Sequence, residues 1–386
     1  MFDGENSLWK NYQKLKPSYY GIPIHGDSIF EDKFSLNSCR DFINLHYVRG
    51  EKQPTLDFVF KEEYENEGKH QHTVALYLLG LYLHDLFDDV LKCKIFELIP
   101  HCDNNQLDSW YDFRYTWFLT CLYHDTASCI ESHPDSQRLT EQQKTLDFYL
   151  GTSDIKYTPF NHTPLRPGIS LTRYSESLIK NYFYYRMDHH SLDHGILGGY
   201  LLFDKLYRNF KEKTKDVFWD QNHAKEIIDG LNYRPEHLDH FAYISDAIIC
   251  HNLWTASKPA DINTYKNYGL EPLIIDEKHQ DRKLNINDYP LQFLLCLLDS
   301  IEPVKRFIEE KEGLEPPMNA ADVLANFCIN PGENNTIQID WCEYVKEQKY
   351  TRFQNWLKSV LGLETWMDVK VTRKGETSAT IAINRR

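Results

Sequence analysis

Single polar residues interrupt otherwise apolar stretches at His72, His124-Asp125, His194, His251 and Asp299. Imidazole and carboxylate groups commonly share a divalent cation, and a buried polar group needs some such partner. His251 follows Ile244 and Ile248 at i, i+4, i+7 spacing, which turns its ring toward a core. Asp299 stands behind Leu291, Leu295 and Leu298, where a charged carboxylate requires a metal or a cationic partner. His190 and His194 are four apart, so on one helix both imidazoles can converge on one ion. Gly195, Gly198 and Gly199 then admit a neighbouring helix closely. Taken singly, His72 or His251 reads as a hydrogen-bonded core histidine, and Asp299 as half of a buried ion pair. The series together points to metal. The dipeptide alone does not, since His84-Asp85 repeats it with no histidine series behind it and reads as a partly exposed helix end.

Helices are expected to carry these residues. The run from His72 to Leu83 is apolar almost all round, as in a helix at the centre of a bundle. Trp110 to Tyr123 gives a second buried helix that ends at His124-Asp125. Helical patterning resumes over Tyr174 to Tyr207, His237 to Trp254 and Pro290 to Glu310, with a loop-rich stretch at 255 to 289. Residues 131 to 172 carry four prolines around a short helical stretch near Glu141 to Leu150 and read as a surface excursion. Trp366 to Thr372 and Thr377 to Ile383 flank Gly375 and read as a hairpin.

The 386 residues suffice for at least one full-sized core. A net charge of −14 works against a broad nucleic-acid footprint, which needs clustered Lys and Arg. No apolar run approaches the roughly 20 residues that span a bilayer, and the first residues lack a signal-peptide core, so a cytoplasmic protein is expected. Nine cysteines, an odd number with no Cys-x-x-Cys pair, read as reduced and mostly buried thiols. Neither a dinucleotide-binding nor a P-loop glycine fingerprint is present.

The order His72, His124-Asp125, His194, His251, Asp299 resembles the metal-binding signature of the HD superfamily of metal-dependent phosphohydrolases, over about residues 65 to 310. His72-Thr-x-x-Ala-x-x-Leu looks like its first ligand helix, Phe118 to Asp125 like its central motif, and Tyr289 to Asp299 like its last. The resemblance implies an all-α fold, an HD-domain helical bundle with a small C-terminal β-hairpin appendage. It implies a divided chain: an N-terminal extension at 1–64, the HD domain at 65–310, and a C-terminal helix plus hairpin at 311–386. It also implies one or two divalent ions (Mn, Fe, Co, Ni, Zn or Mg), one held by His72, His124, Asp125 and Asp299 and another by Asp125, His194 and His251. Asp125 and His124 would be central to catalysis. Two cations about 3.5–4 Å apart acidify a water and neutralise a departing oxygen.

Two departures from that pattern stand out. Where many two-metal members have adjacent histidines this chain has His251-Asn252, leaving His189, His190, His237 or His240 as substitutes. Thr126-Ala127-Ser128 replaces a Gly-Lys, so the substrate phosphate is expected to meet Arg186 or Arg306, with Arg173, Arg166 and Lys305 as other candidates. Asp299, Glu302 and Arg306 fall on one helical stripe, with Glu302 behind the ligands. The expected activity is hydrolysis of a phosphoester or phosphoanhydride in a small-molecule substrate of nucleotide or cyclic-nucleotide type. The Tyr-rich stretch 182–185 is either a base-stacking wall or ordinary amphipathic packing, with packing favoured. A catalytically silent nucleotide sensor and a single-strand nuclease are the competing readings. No membrane partner is expected.

Overall fold

Apolar runs broken at intervals by caps and prolines give the helices their limits. The computed structural model describes residues 4–15, 18–19, 22–23, 70–86, 113–128, 131, 155–160, 173–214, 227–228, 231–232, 236–311 and 313–384. In chain order the helices are α1 (Leu8–Lys14), α2 (His70–Leu86), α3 (Phe113–His124), α4 (Glu176–Asp188), α5 (His194–Thr214), α6 (Glu236–His251) and α7 (Pro259–Asn267). They continue with α8 (Pro290–Ile301), α9 (Val304–Ile308), α10 (Ala320–Ala325), α11 (Glu343–Gln348) and α12 (Tyr350–Gly362). Two compact units result: Met1–Leu45, Gly68–Ile95 and Glu277–Arg386 form the first, His46–Glu67 and Phe96–Asp276 the second.

In the first unit α2 packs with α1, α8 and α9, and α8 packs with α12. Leu291, Leu295 and Leu298 of α8 are buried, together with Phe327, Trp341, Phe353 and Trp356. Each such side chain stabilises by about 1.5–3 kcal/mol relative to exposure. Four strands complete this unit: β1 (Phe327–Gly332), β2 (Thr336–Trp341), β3 (Val369–Arg373) and β4 (Ser378–Ile383). They form one antiparallel sheet in the order β1-β2-β4-β3, with Ile337 opposite Ile381 and Ile339 opposite both Ile329 and Ala379.

The all-α expectation is therefore corrected. The fold is mostly helical with a four-stranded sheet, and the C-terminal hairpin, turning at Gly375 with φ +70°, is half of that sheet. β2 reads Thr-Ile-Gln-Ile-Asp-Trp, buried at every second residue, so its apolar face has to meet a core.

In the second unit α3, α5 and α6 pack against one another. The glycines of α5 set the spacing: a methyl at Gly198 would sit 2.7 Å from the Tyr123 carbonyl oxygen, and one at Gly199 2.7 Å from the Ser245 carbonyl oxygen. Both obstacles are backbone. Gly198→Ala is accordingly expected to destabilise by about 1–3 kcal/mol. Gly362→Ala, on α12 with φ −75° and nothing within 4 Å of the new methyl, is expected to be neutral or to stabilise by up to about 1 kcal/mol. Denaturation midpoints check both, and equal midpoints for the two variants would contradict the packing account.

Two expected helices and one expected loop differ in extent. Tyr174 to Tyr207 is broken into α4 and α5 by a turn in which His190 has φ +58°. Pro290 to Glu310 is broken after Ile301, because Pro303 cannot continue the hydrogen-bond ladder. The stretch 255–289 includes α7, which starts with Pro259 in its first turn. The expected helix near Glu141 to Leu150 and most of the extension at 1–64 lie outside the described residues. Cys121, Cys250, Cys296 and Cys328 are buried free thiols. Among the described residues no helix is long and apolar enough to cross a membrane.

Candidate metal centre

His124, Asp125, His194 and His251 belong to the second unit, His72 and Asp299 to the first. In the second unit the ends of three helices meet. His124 closes α3 and Asp125 follows it, His194 opens α5, and His251 closes α6. A helix end frees a side chain to face along the bundle, and the α5 glycines bring the three backbones close enough for these ends to converge. Ligand atoms of Asp125, His194 and His251 lie within 4.8 Å of one another. Donor atoms bound to one cation at about 2.1 Å stand roughly 3–4 Å apart, so the wider of these separations would close by on the order of 1 Å around an ion.

Each imidazole is oriented by its second nitrogen. Nδ1 of His124 bonds the Cys121 carbonyl oxygen at 2.7 Å, and Nδ1 of His251 bonds the Ile248 carbonyl oxygen at 2.6 Å. Nδ1 of His194 bonds Glu131 Oε2 at 2.5 Å. With Nδ1 engaged in this way, Nε2 is the nitrogen that would face a cation, giving up its proton to the ion where it carries one. Nε2 of His194 faces Asp125 Oδ1 at 3.2 Å, and Nε2 of His124 faces Asp125 Oδ2 at 3.5 Å.

The first unit repeats the construction. His72, buried on α2, bonds Glu302 Oε2 through Nδ1 at 2.7 Å and faces Asp299 Oδ1 with Nε2 at 3.1 Å. Glu302 is fixed in turn by the N–H groups of Val304, at 2.7 Å, and Lys305. Lys305 Nζ lies 3.3 Å from Asp299 Oδ1, so this carboxylate has an internal cation as well as an imidazole.

The electrostatics suit a cation. Burial opposes charge on His194, yet hydrogen bonds to Asp125 and Glu131 lift it to about 10. Burial likewise opposes charge on His72, and Asp299 and Glu302 lift it to about 9. Both fields favour positive charge between two carboxylates, which is what a divalent ion at Nε2 would supply. Burial and then the neighbouring His194 and His124 push His251 down to about 3, which keeps it in the neutral form that metal binding requires. Two imidazoles, a carboxylate and outer hydrogen bonds thus fit a transition-metal site by donor chemistry.

Several expected site residues are placed otherwise. Arg186, expected at a substrate phosphate, is buried and engaged inside the protein with Glu131 Oε1 at 2.5 Å, Ser191 Oγ at 2.8 Å and the Leu192 carbonyl oxygen. Its physical role is to hold Glu131 against His194. Arg306 is exposed on α9, and the break after Ile301 separates it from the stripe of Asp299. His190 does not pair with His194, because the turn between α4 and α5 takes both it and His189 to the surface. His240 is buried against Thr116 Oγ1 at 2.8 Å. The side chains of His237 and Arg166 lie outside the described residues. Asn252 donates to Asp193 Oδ2 at 2.9 Å and accepts from the Trp254 indole at 2.9 Å. Tyr182 is fully buried, which settles that ring as packing.

Glu131 is the partner that sequence reasoning missed. Its one signal is an acid six residues beyond Asp125, following Ala127-Ser-Cys-Ile130. Comparison with known proteins finds no matching family, no matching characterised protein and no matching solved structure.

Proposed function

We propose that this chain is a metal-dependent phosphohydrolase that cleaves a phosphoester or phosphoanhydride bond in a nucleotide-type substrate. The observation that carries the reading is the convergence of Asp125, His194 and His251 at three helix ends, with the imidazoles held through Nδ1. These three residues would hold the ion, and His72 with Asp299 would supply ligands in the first unit. Nitrogen-rich ligation favours Mn, Fe, Co, Ni or Zn over Mg alone. A divalent cation supplies Lewis acidity, an acidified water and neutralisation of phosphoryl charge.

The protein's own part is orientation. Glu131 and the Ile248 carbonyl keep the Nδ1 protons of His194 and His251 in place, so both rings present Nε2. Asp125 turns Oδ1 to His194 and Oδ2 to His124, an arrangement in which one carboxylate serves both sides. Arg186 pins Glu131, and Ser191 Oγ donates to the same Glu131 oxygen at 2.9 Å. Preorganisation of this kind lowers the cost of assembling the site around a charged substrate.

Metal analysis of the purified chain, joined to phosphate release from generic phosphomonoesters and phosphodiesters with added Mn, Co or Ni, tests the reading. Bound metal with turnover is expected. Bound metal and nucleotide binding without turnover would favour a sensor. Steeply salt-dependent cleavage of single-stranded oligonucleotides would favour a nuclease. Absence of both metal and turnover would overturn the proposal.

A further inference from the structure

Trp254 lies three residues beyond His251, and 59% of it is exposed, against 36% for Tyr184, the other exposed large apolar side chain described in this unit. The residue is nevertheless fixed at four points. Its backbone N–H donates to Tyr182 Oη at 3.1 Å, its carbonyl oxygen accepts from Tyr265 Oη at 2.9 Å, and its indole N–H donates to Asn252 Oδ1 at 2.9 Å. The Arg186 guanidinium stands 4.4 Å from the ring centroid. Two routes lead from this ring to the candidate ligand His194. One runs through Arg186 and Glu131, the other through Asn252, whose Nδ2 lies 3.5 Å from His194 Nδ1.

A ring whose only task was to cover Arg186 would gain nothing from exposure. A flat aromatic surface held rigid beside a phosphate-binding centre suits a planar heterocycle, because stacking needs two faces and loses little freedom when one is already fixed. We infer that Trp254 stacks the base of the substrate, which makes nucleoside phosphates, rather than sugar phosphates, the preferred class. This inference rests on the phosphohydrolase reading. Trp254 is then a specificity residue, with Asn252 and Arg186 as the positioning residues that fix its plane.

Calorimetric titration of the metal-loaded full chain tests it, using the non-hydrolysed phosphonate analogues of adenosine 5′-monophosphate and ribose 5-phosphate. Wild type is expected to bind the adenosine analogue on the order of tenfold more tightly. Trp254→Ala should erase that preference while leaving the ribose analogue unchanged, and Trp254→Phe, which keeps a ring, should retain most of it. Equal affinity for both ligands in wild type, or an Ala variant that weakens both alike, would overturn the stacking role and leave the phosphohydrolase reading standing. Failure of the metal-loaded chain to bind either analogue would overturn both.

Discussion

Asp125→Asn is expected to leave a folded protein that retains little divalent metal and releases phosphate at a small fraction of the wild-type rate. The substitution is nearly isosteric, so packing at this buried position is preserved. What changes is charge: the carboxylate that faces His194 Nε2 at 3.2 Å and His124 Nε2 at 3.5 Å becomes a neutral amide. A cation then loses its anionic ligand and keeps only imidazoles. Removing an outer partner of a metal ligand typically costs about 10–100-fold in affinity or activity, and loss of the ligand itself should exceed that. Glu131→Gln supplies the outer-partner comparison, because the amide can still bond His194 while the charge that polarises the ring is gone. Metal content after gel filtration, circular dichroism and phosphate release are measured on all three proteins. The order wild type, Glu131→Gln, Asp125→Asn is expected for both metal and rate. An Asp125→Asn protein with unchanged metal content would remove this carboxylate from the centre.

The candidate ligand series was legible because buried helices leave long apolar runs in which an isolated His or Asp is conspicuous. Glu302 was legible for a related reason, lying three residues beyond Asp299. Glu131 was not, since no helical period ties it to the histidine it orients. The sheet had a period-two signature over Thr336 to Trp341, but six residues beside a strong helical pattern are easily absorbed into it, and only the pairing with Phe327–Gly332 and Ser378–Ile383 gives them weight. The turn between α4 and α5 contains no Gly or Pro, and its left-handed residue is His190. A break of that kind is fixed by tertiary packing, with Asp193 accepting the Ile196 N–H at 2.9 Å to start the next helix. Arg186 illustrates the converse. It follows Tyr182 and Phe183 at helical spacing, so a charge on that apolar face signalled an internal ion pair better than a substrate contact.

His240 is expected to make the fold acid-sensitive. Its ring is fully buried on α6, and burial pushes it down to about 3. An unfolded chain restores it to about 6.5, so below that value the unfolded state binds a proton that the folded state refuses. The stabilisation is thus complete above pH 6.5 and is lost progressively as pH falls toward 3. Over that window the slope is about 1.4 kcal/mol per pH unit, on the order of 5 kcal/mol in all. His72 and His194 act in the opposite range: lifted to about 9 and 10, their contribution is full below pH 6.5 and disappears as pH rises through those values. They do not shape the acid limb. His251 is also pushed down to about 3, but it is common to wild type and variant and cancels in their difference. His240→Gln keeps a polar partner for Thr116 and removes the titration. Unfolding free energies from denaturant titrations at half-unit steps between pH 4 and 7.5 should show a variant curve shallower by one proton below pH 6.5 and parallel above it. Parallel curves throughout would mean that His240 takes up its proton as readily in the folded chain as in the unfolded one.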